Sequence, residues 1–252
     1  MTVKARVSDG MATLTLSSPP LNILTRALMA SLREELATLA QQSDLRVVLL
    51  AAEGKHFSAG ADVGEHMPPE YRELIPEFIR TIRMVSEFPL PVIAAVRGRC
   101  LGGGFELVQA ADMIVATEQA MFGQPEIMLG VSPPAACALL PGICAPALAA
   151  ELVLTGDPIS AQRAFEAGLV MQVVPDDQLD EAALALATRL TRHSGPALRL
   201  TKKQLRAGLD AHRAEALRAA EHIYIEELME TADAVEGLQA FLDKRKPTWT
   251  HT

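Results

Sequence analysis

At 252 residues the chain can bury a sizeable core, as one large domain or as one domain with an appendage. Its formal net charge of −8 argues against nonspecific binding to nucleic acid or to anionic membranes, and an aromatic content of 4% leaves few surfaces on which bases could stack. Three cysteines, Cys100, Cys137 and Cys144, are odd in number and lack C-x-x-C spacing, which indicates a reduced compartment, while the histidines show no metal-ligand spacing, so no metal is expected.

The chain opens on alternating residues rather than a signal-peptide apolar core, and residues 3–7 and 11–16 read as a β-hairpin across Ser8-Asp9-Gly10. Pro19-Pro20 ends the second strand. Residues 24–41 have helical spacing, with Leu28, Leu32, Leu36 and Leu39 on one face and Thr25 as the N-cap. The apolar run 47–51 suits a strand buried on both faces. A helix is predicted over 71–87, started or kinked by Pro76, then a buried strand over 91–96. Next come a glycine run, a helical pattern over 106–111 and a strand over 113–116.

Residues 127–150 carry no charge and are long enough to cross a bilayer. Pro133, Pro134, Pro141, Pro146, Gly130 and Gly142 interrupt them, so a turn and short buried helices are expected, in a soluble cytoplasmic protein. Further helices are predicted over 161–168 and 179–192. From Pro196 the pattern changes to three helices, 198–209, 216–230 and 232–245, with no strand between them. Strand–strand–helix units thus recur loosely in residues 1–195, and residues 196–252 form a helical region that packs on another body or subunit.

Two segments carry the chemistry: Ser58-Ala59-Gly60-Ala61-Asp62 and Leu101-Gly102-Gly103-Gly104-Phe105-Glu106. Small residues let a backbone approach a ligand, and a glycine run that opens a helix aims free N–H groups and the positive end of a dipole at one point. Such a point suits a developing negative charge, with a carboxylate one turn away. Taken alone, Gly102–Gly104 would fit a tight turn equally well. The run lacks the G-x-G-x-x-G spacing and the lysine of a phosphate loop, so nucleotide binding is set aside.

Together with Phe122-Gly123-Gln124-Pro125-Glu126, these segments resemble the crotonase (enoyl-CoA hydratase/isomerase) family, in order and in separation. The resemblance runs from Pro19-Pro20-Leu21-Asn22 to Phe241-Leu242-Asp243-Lys244-Arg245. It implies an α/β fold, a spiral of ββα units followed by C-terminal helices that build a homotrimer or a dimer of trimers. It also implies an acyl-CoA thioester substrate and no cofactor, coenzyme A being part of the substrate. On that basis the N–H groups of Ala61 and Gly103 form an oxyanion hole, and Glu106 and Glu126 are the acid–base pair. Glu126 would exchange a proton with the α-carbon, and Glu106 would activate water.

Substrate contacts are expected from Ala59, Gly60, Asp62 and Gly102, and from Pro134. Lys244 would meet the CoA phosphates, or else Lys244-Arg245-Lys246 simply complements a helix C-terminus. His66, Met67, Tyr71 and Phe78 either shape the acyl pocket or belong to packing. One departure stands out. Where the family pattern places a glycine-rich turn whose N–H helps hold the water, this chain has Pro133-Pro134, and Pro134 has no N–H. That resembles the branch hydrating cyclic conjugated dienoyl-CoA. The alternatives are a Δ3,Δ2-enoyl-CoA isomerase using Glu126 alone and a noncatalytic acyl-CoA-binding protein.

Overall fold

The computed structural model describes residues 2–208 and 210–251. Strands β1 (Thr2–Ser8) and β2 (Met11–Ser17) pair antiparallel across Asp9 and Gly10. Those two residues take φ of 53° and 75°, the positive values a tight primed turn requires. Helix α1 (Arg26–Ala40) follows, and the Thr25 hydroxyl accepts the Leu28 N–H at 3.2 Å. Leu28, Leu32, Leu36 and Leu39 are all buried. Burying each contributes roughly 1.5–3 kcal/mol, against about 1 kcal/mol for the cap. The leucine stripe therefore decides that this helix forms, and the threonine decides where it starts.

The main sheet continues in parallel through β3 (Val47–Ala52), β4 (Val92–Val96), β6 (Met113–Thr117) and β9 (Gln172–Val174), giving the order β1-β2-β3-β4-β6-β9. Val47 and Leu49 on one face pack with Ile93, Val115 and helix α7 (Leu179–Thr191), while Val48 and Leu50 face the principal core. Burial on both faces explains the unbroken apolar runs in these strands. A smaller sheet holds β5 (Arg99–Leu101), β7 (Met121–Gly123) and β8 (Ile159–Ser160), with a parallel bridge from Ser58 to Cys100 extending it.

The spiral is now visible. Each turn sends one strand to the large sheet, a short one to the small sheet, and then a helix. Thus β4 and β5 lead to α3 (Gly103–Gln109), and β6 and β7 lead through a 3₁₀ turn (Pro125–Leu129) to α4 (Pro134–Leu139). Helix α2 (Tyr71–Ser86) runs through Pro76, which neither starts nor ends it. The uncharged stretch resolves into that 3₁₀ turn, α4, a second 3₁₀ turn (Leu140–Gly142) and α5 (Pro146–Thr155). Among the described residues no helix is long and apolar enough to cross a membrane. Helix α6 (Ala161–Glu166) precedes β9.

Three helices close the chain: α8 (Gly195–Ala207), α9 (Asp210–Glu226) and α10 (Ala232–Leu242). Leu209, the expected last residue of the first, lies outside the described residues. The helix expected over 216–230 starts earlier and stops at Glu226, after which Leu228–Glu230 form a 3₁₀ turn. The helix expected to reach Arg245 ends at Leu242, so Lys244 lies beyond it at φ 54°. Helix α8 is fastened by buried charges. Asp112 accepts the Val92 N–H at 2.8 Å, Lys202 Nζ at 2.6 Å and Arg206 Nη2 at 2.6 Å. Arg206 also donates to the Ser86 carbonyl. Helix α9 packs chiefly on α4 and α2.

Candidate active site

The path of residues 58–62 is set from both sides. Leu24 donates its N–H to the Gly60 carbonyl at 2.9 Å and accepts the Asp62 N–H at 3.3 Å. Asn22, fully buried, takes the Ser18 N–H on its side-chain oxygen and donates to the Glu53 and His56 carbonyls. In an extended segment alternate N–H groups point to opposite sides. With Gly60 and Asp62 facing Leu24, the Ala61 N–H faces the other way, toward Gly103. A Cβ added to Gly103 would sit 3.3 Å from the Ala61 nitrogen. Gly103 opens α3, where first-turn N–H groups lack intrahelical acceptors. The Ala61 nitrogen thus lies close to the start of α3.

Gly102 has φ 52°, and its N–H donates to the Gly123 carbonyl at 2.9 Å. A Cβ there would come within 2.6 Å of Glu126 Oε1, so the position requires glycine twice over, for its backbone and for its neighbour. Glu126 arrives from the small sheet, in the 3₁₀ turn that β7 feeds. Its Oε2 is buried without a hydrogen-bond partner among the described residues.

Glu106, in the first turn of α3, is only 2% exposed. Its Oε1 accepts the Ala135 N–H at 2.7 Å and the Ala136 N–H at 2.9 Å. Those donors are the first free N–H groups of α4, which begins at Pro134. The missing N–H at Pro134 falls at a helix position where it would have had no intrahelical acceptor. Pro133-Pro134 therefore starts the helix whose N-terminus holds Glu106.

Burial pushes both carboxyl groups up, Glu106 to about 7 and Glu126 well above the usual range, with the Glu106 charge raising Glu126 further. The backbone donors from Ala136 and Ala135 oppose the rise at Glu106. The environments thus split the pair. Glu106, with two donors, is the better base, and Glu126, with a bare Oε2, keeps its proton more tightly. If the pair works as acid and base, kcat/KM should fall as pH drops through about 7, where Glu106 gains its proton, and fall again on the alkaline side as Glu126 loses its own. A pH–rate profile that is flat between about pH 6 and 9 would discard this division of roles.

Other expected contacts fall in several places. Ala59 and Gly60 lie in the first loop, and the Ala59 N–H donates to the Leu21 carbonyl at 2.9 Å. The Asp62 carboxylate accepts the Glu65 N–H at 3.1 Å and so serves its own 3₁₀ turn (Gly64–His66). The Asp62 carbonyl lies 2.7 Å from His66 Nδ1. Phe78 reaches the oxyanion region, 3.2 Å from a Cβ placed on Gly103, and Tyr71 is buried in the core. Lys244 is exposed, and its neighbour Arg245 is held by Glu236 at 2.6 and 2.8 Å.

Sequence reasoning missed the donors at Ala135 and Ala136, although prolines at a helix start would have flagged the next N–H groups as free. It also missed Tyr224 on α9, which is fully buried and 6.3 Å, ring centroid to ring centroid, from His66.

Ala61 beside the start of α3, with buried Glu106 and half-buried Glu126 close by, forms a candidate site for acid–base chemistry. The family profile described as enoyl-CoA hydratase/isomerase matches residues 6–252, and the chain belongs to that family. It is 39% identical to the cyclohexa-1,5-dienecarbonyl-CoA hydratase of Thauera aromatica, over 94% of this chain and 91% of that one. It is 38% identical to the 2,3-dehydroadipyl-CoA hydratase of Escherichia coli K12, over 93% and 92%. The crystal structure of an enoyl-CoA hydratase/isomerase from Pseudoalteromonas atlantica T6c superposes with a TM-score of 0.90 at 30% identity, covering 99% of this chain and 100% of that one. The chain is a hydro-lyase of the enoyl-CoA hydratase type.

Proposed function

We propose that the chain adds water to a cyclic conjugated dienoyl-CoA, and that Glu106, Glu126, Ala61 and Gly103 carry the reaction. What supports it is the closeness of Gly103 to Ala61 and of Gly102 to Glu126, together with two carboxyl groups of unequal proton affinity. The thioester oxygen sits between the two N–H donors. Glu106 takes a proton from water, the resulting hydroxide bonds to an electron-poor carbon of the conjugated system, and charge moves onto the thioester oxygen. Glu126 then delivers its proton to the α-carbon, and the pair exchanges protonation states. No cofactor enters, because coenzyme A is part of the substrate. The first loop, residues 59–62, Gly102 and Pro134 would line the substrate's path, and Lys244 would meet the CoA phosphates.

The cyclic substrate is supported by the Thauera relative's name and by the rigid Pro133-Pro134 start of α4. Identity alone does not decide it, since the relative named for a straight-chain substrate is within one percentage point. The test is kcat/KM for crotonyl-CoA, 2,3-dehydroadipyl-CoA and cyclohexa-1,5-dienecarbonyl-CoA, because that ratio measures discrimination in the transition state. The cyclic thioester should be preferred. A preference for either linear thioester would overturn the cyclic assignment and leave hydration standing. Movement of a double bond without water uptake would favour the isomerase, and binding without turnover the noncatalytic alternative. Exposed Leu154, Leu205 and Phe241 on α5, α8 and near the end of α10 support assembly of several copies, here inferred to be trimers in the cytoplasm. Light scattering that returned a single subunit's mass would remove the assembly.

A further inference from the structure

Tyr224 is a buried polar side chain that the reaction above leaves without work. It is fully buried on α9, and its hydroxyl has no hydrogen-bond partner among the described residues. A buried phenol of this kind usually finds a partner, because leaving its hydroxyl unsatisfied forfeits the hydrogen bonds it makes in water. Its surroundings place it at the acids. Helix α9 packs on α4, whose N-terminus holds Glu106, and on α2, which brings Tyr71 and Phe78. The Tyr224 ring faces His66, which touches the Asp62 carbonyl one residue beyond Ala61. The charges that bear most on its hydroxyl are those of Glu126 and then Glu106, and with burial they keep the phenol protonated.

Glu126 Oε2 is the complementary atom, a buried oxygen equally without a partner among the described residues. A buried hydroxyl that feels the charges of Glu126 and Glu106, and a buried Glu126 oxygen, both without a partner among the described residues, leave hydrogen-bonding capacity for a small molecule at the acids. Water has both functions that are needed. We propose that Tyr224 is a positioning residue for the reacting water, its hydroxyl donating to the oxygen of a water that lies against Glu126 and Glu106. Held this way, the water keeps its hydrogens for the Glu106 carboxylate and an acceptor oxygen of the Glu126 carboxyl group, and one lone pair for the carbon. An acyl-CoA hydratase needs this orientation and a bare carboxylate pair does not fix it.

The proposal rests on the hydratase reading for its catalytic consequence but not for its geometry, so two measurements separate them. A crystal structure of the protein should show a water within about 3.2 Å of Tyr224 Oη that also contacts Glu126, and Tyr224→Phe should lose that water with the fold unchanged. In kinetics on the preferred thioester, Tyr224→Phe should lower kcat about 10- to 100-fold, with KM within about threefold of wild type, as expected for a donor used in the transition state more than in binding. If the wild-type protein hydrates none of the thioesters, the functional reading fails while the water still decides the geometry. Tyr224 Oη bonded directly to protein or to a bound acyl group, or a Tyr224→Phe enzyme with wild-type kcat, would overturn the proposal.

Discussion

Glu126→Gln and Glu106→Gln should each reduce hydration by about 10²–10⁴-fold, the scale of a positioned general acid or base. The substitutions keep size and shape, and after Glu106→Gln the amide oxygen can still accept the Ala135 and Ala136 N–H groups. Acyl-CoA binding should therefore change little. Nor should stability confuse the result. A carboxyl whose folded pKa is raised holds its proton more firmly in the folded protein, so its contribution is intact below the unfolded value of about 4.5 and is lost as pH rises through the folded value. Each glutamine variant should be at least as stable as wild type at neutral pH. Steady-state rates with thermal melts on the same samples check both halves. A purified variant that hydrates at near the wild-type rate would strike its glutamate from the reaction.

Gly103→Pro should cost about 10²–10³-fold in kcat, the range for loss of one backbone oxyanion donor. The first residue of a helix accepts proline's fixed φ and needs no N–H for the helix itself, so α3 can form. What is lost is the donor aimed beside Ala61. Added atoms also crowd Phe78 and Ala61, whose nearest atoms stand 3.2 and 3.3 Å from a Cβ there. Gly103→Ala supplies the control, since it adds the Cβ and keeps the N–H. The proline variant should be much the slower of the two, with the larger part of the loss in kcat. Equal losses would assign the effect to crowding and take Gly103 out of the oxyanion hole.

Much of the site could be read in advance because its parts sit close in sequence to the backbone features that need them. Gly102 must be glycine for its own φ and for Glu126, and the helix that Gly103 opens carries Glu106 in its first turn. The buried parallel strands were equally legible, since burial on both faces leaves an unbroken apolar run. The small sheet was not. Strands β5, β7 and β8 have two or three residues each, too few for any period to show, and they exist because the turns of the spiral bring them together. Tyr224 was hidden for a related reason. It sits in a helix where a tyrosine reads as core, and only the packing of α9 on α4 brings it toward the acids. The end of α9 at Glu226 was missed because helical spacing continues through Leu228 and Met229, which fold as a 3₁₀ turn instead.

The main-chain origin of the donors has a consequence for how this protein tolerates change. As donors, Ala61, Gly103, Ala135 and Ala136 would act through their N–H groups and not their side chains, although Ala135 and Ala136 also fill the core, and three of the four are already alanine. An alanine scan would pass over those three in silence, although two of them hold Glu106 in place. Mutational libraries would register bulk and backbone strain at these sites but never the loss of the donor, proline excepted. Only replacement of the amide by an ester, atom for atom, would expose the contribution. Machinery of this kind is encoded in the route of the chain, and close packing around Gly103, Ala135 and Ala136 keeps that route to small residues.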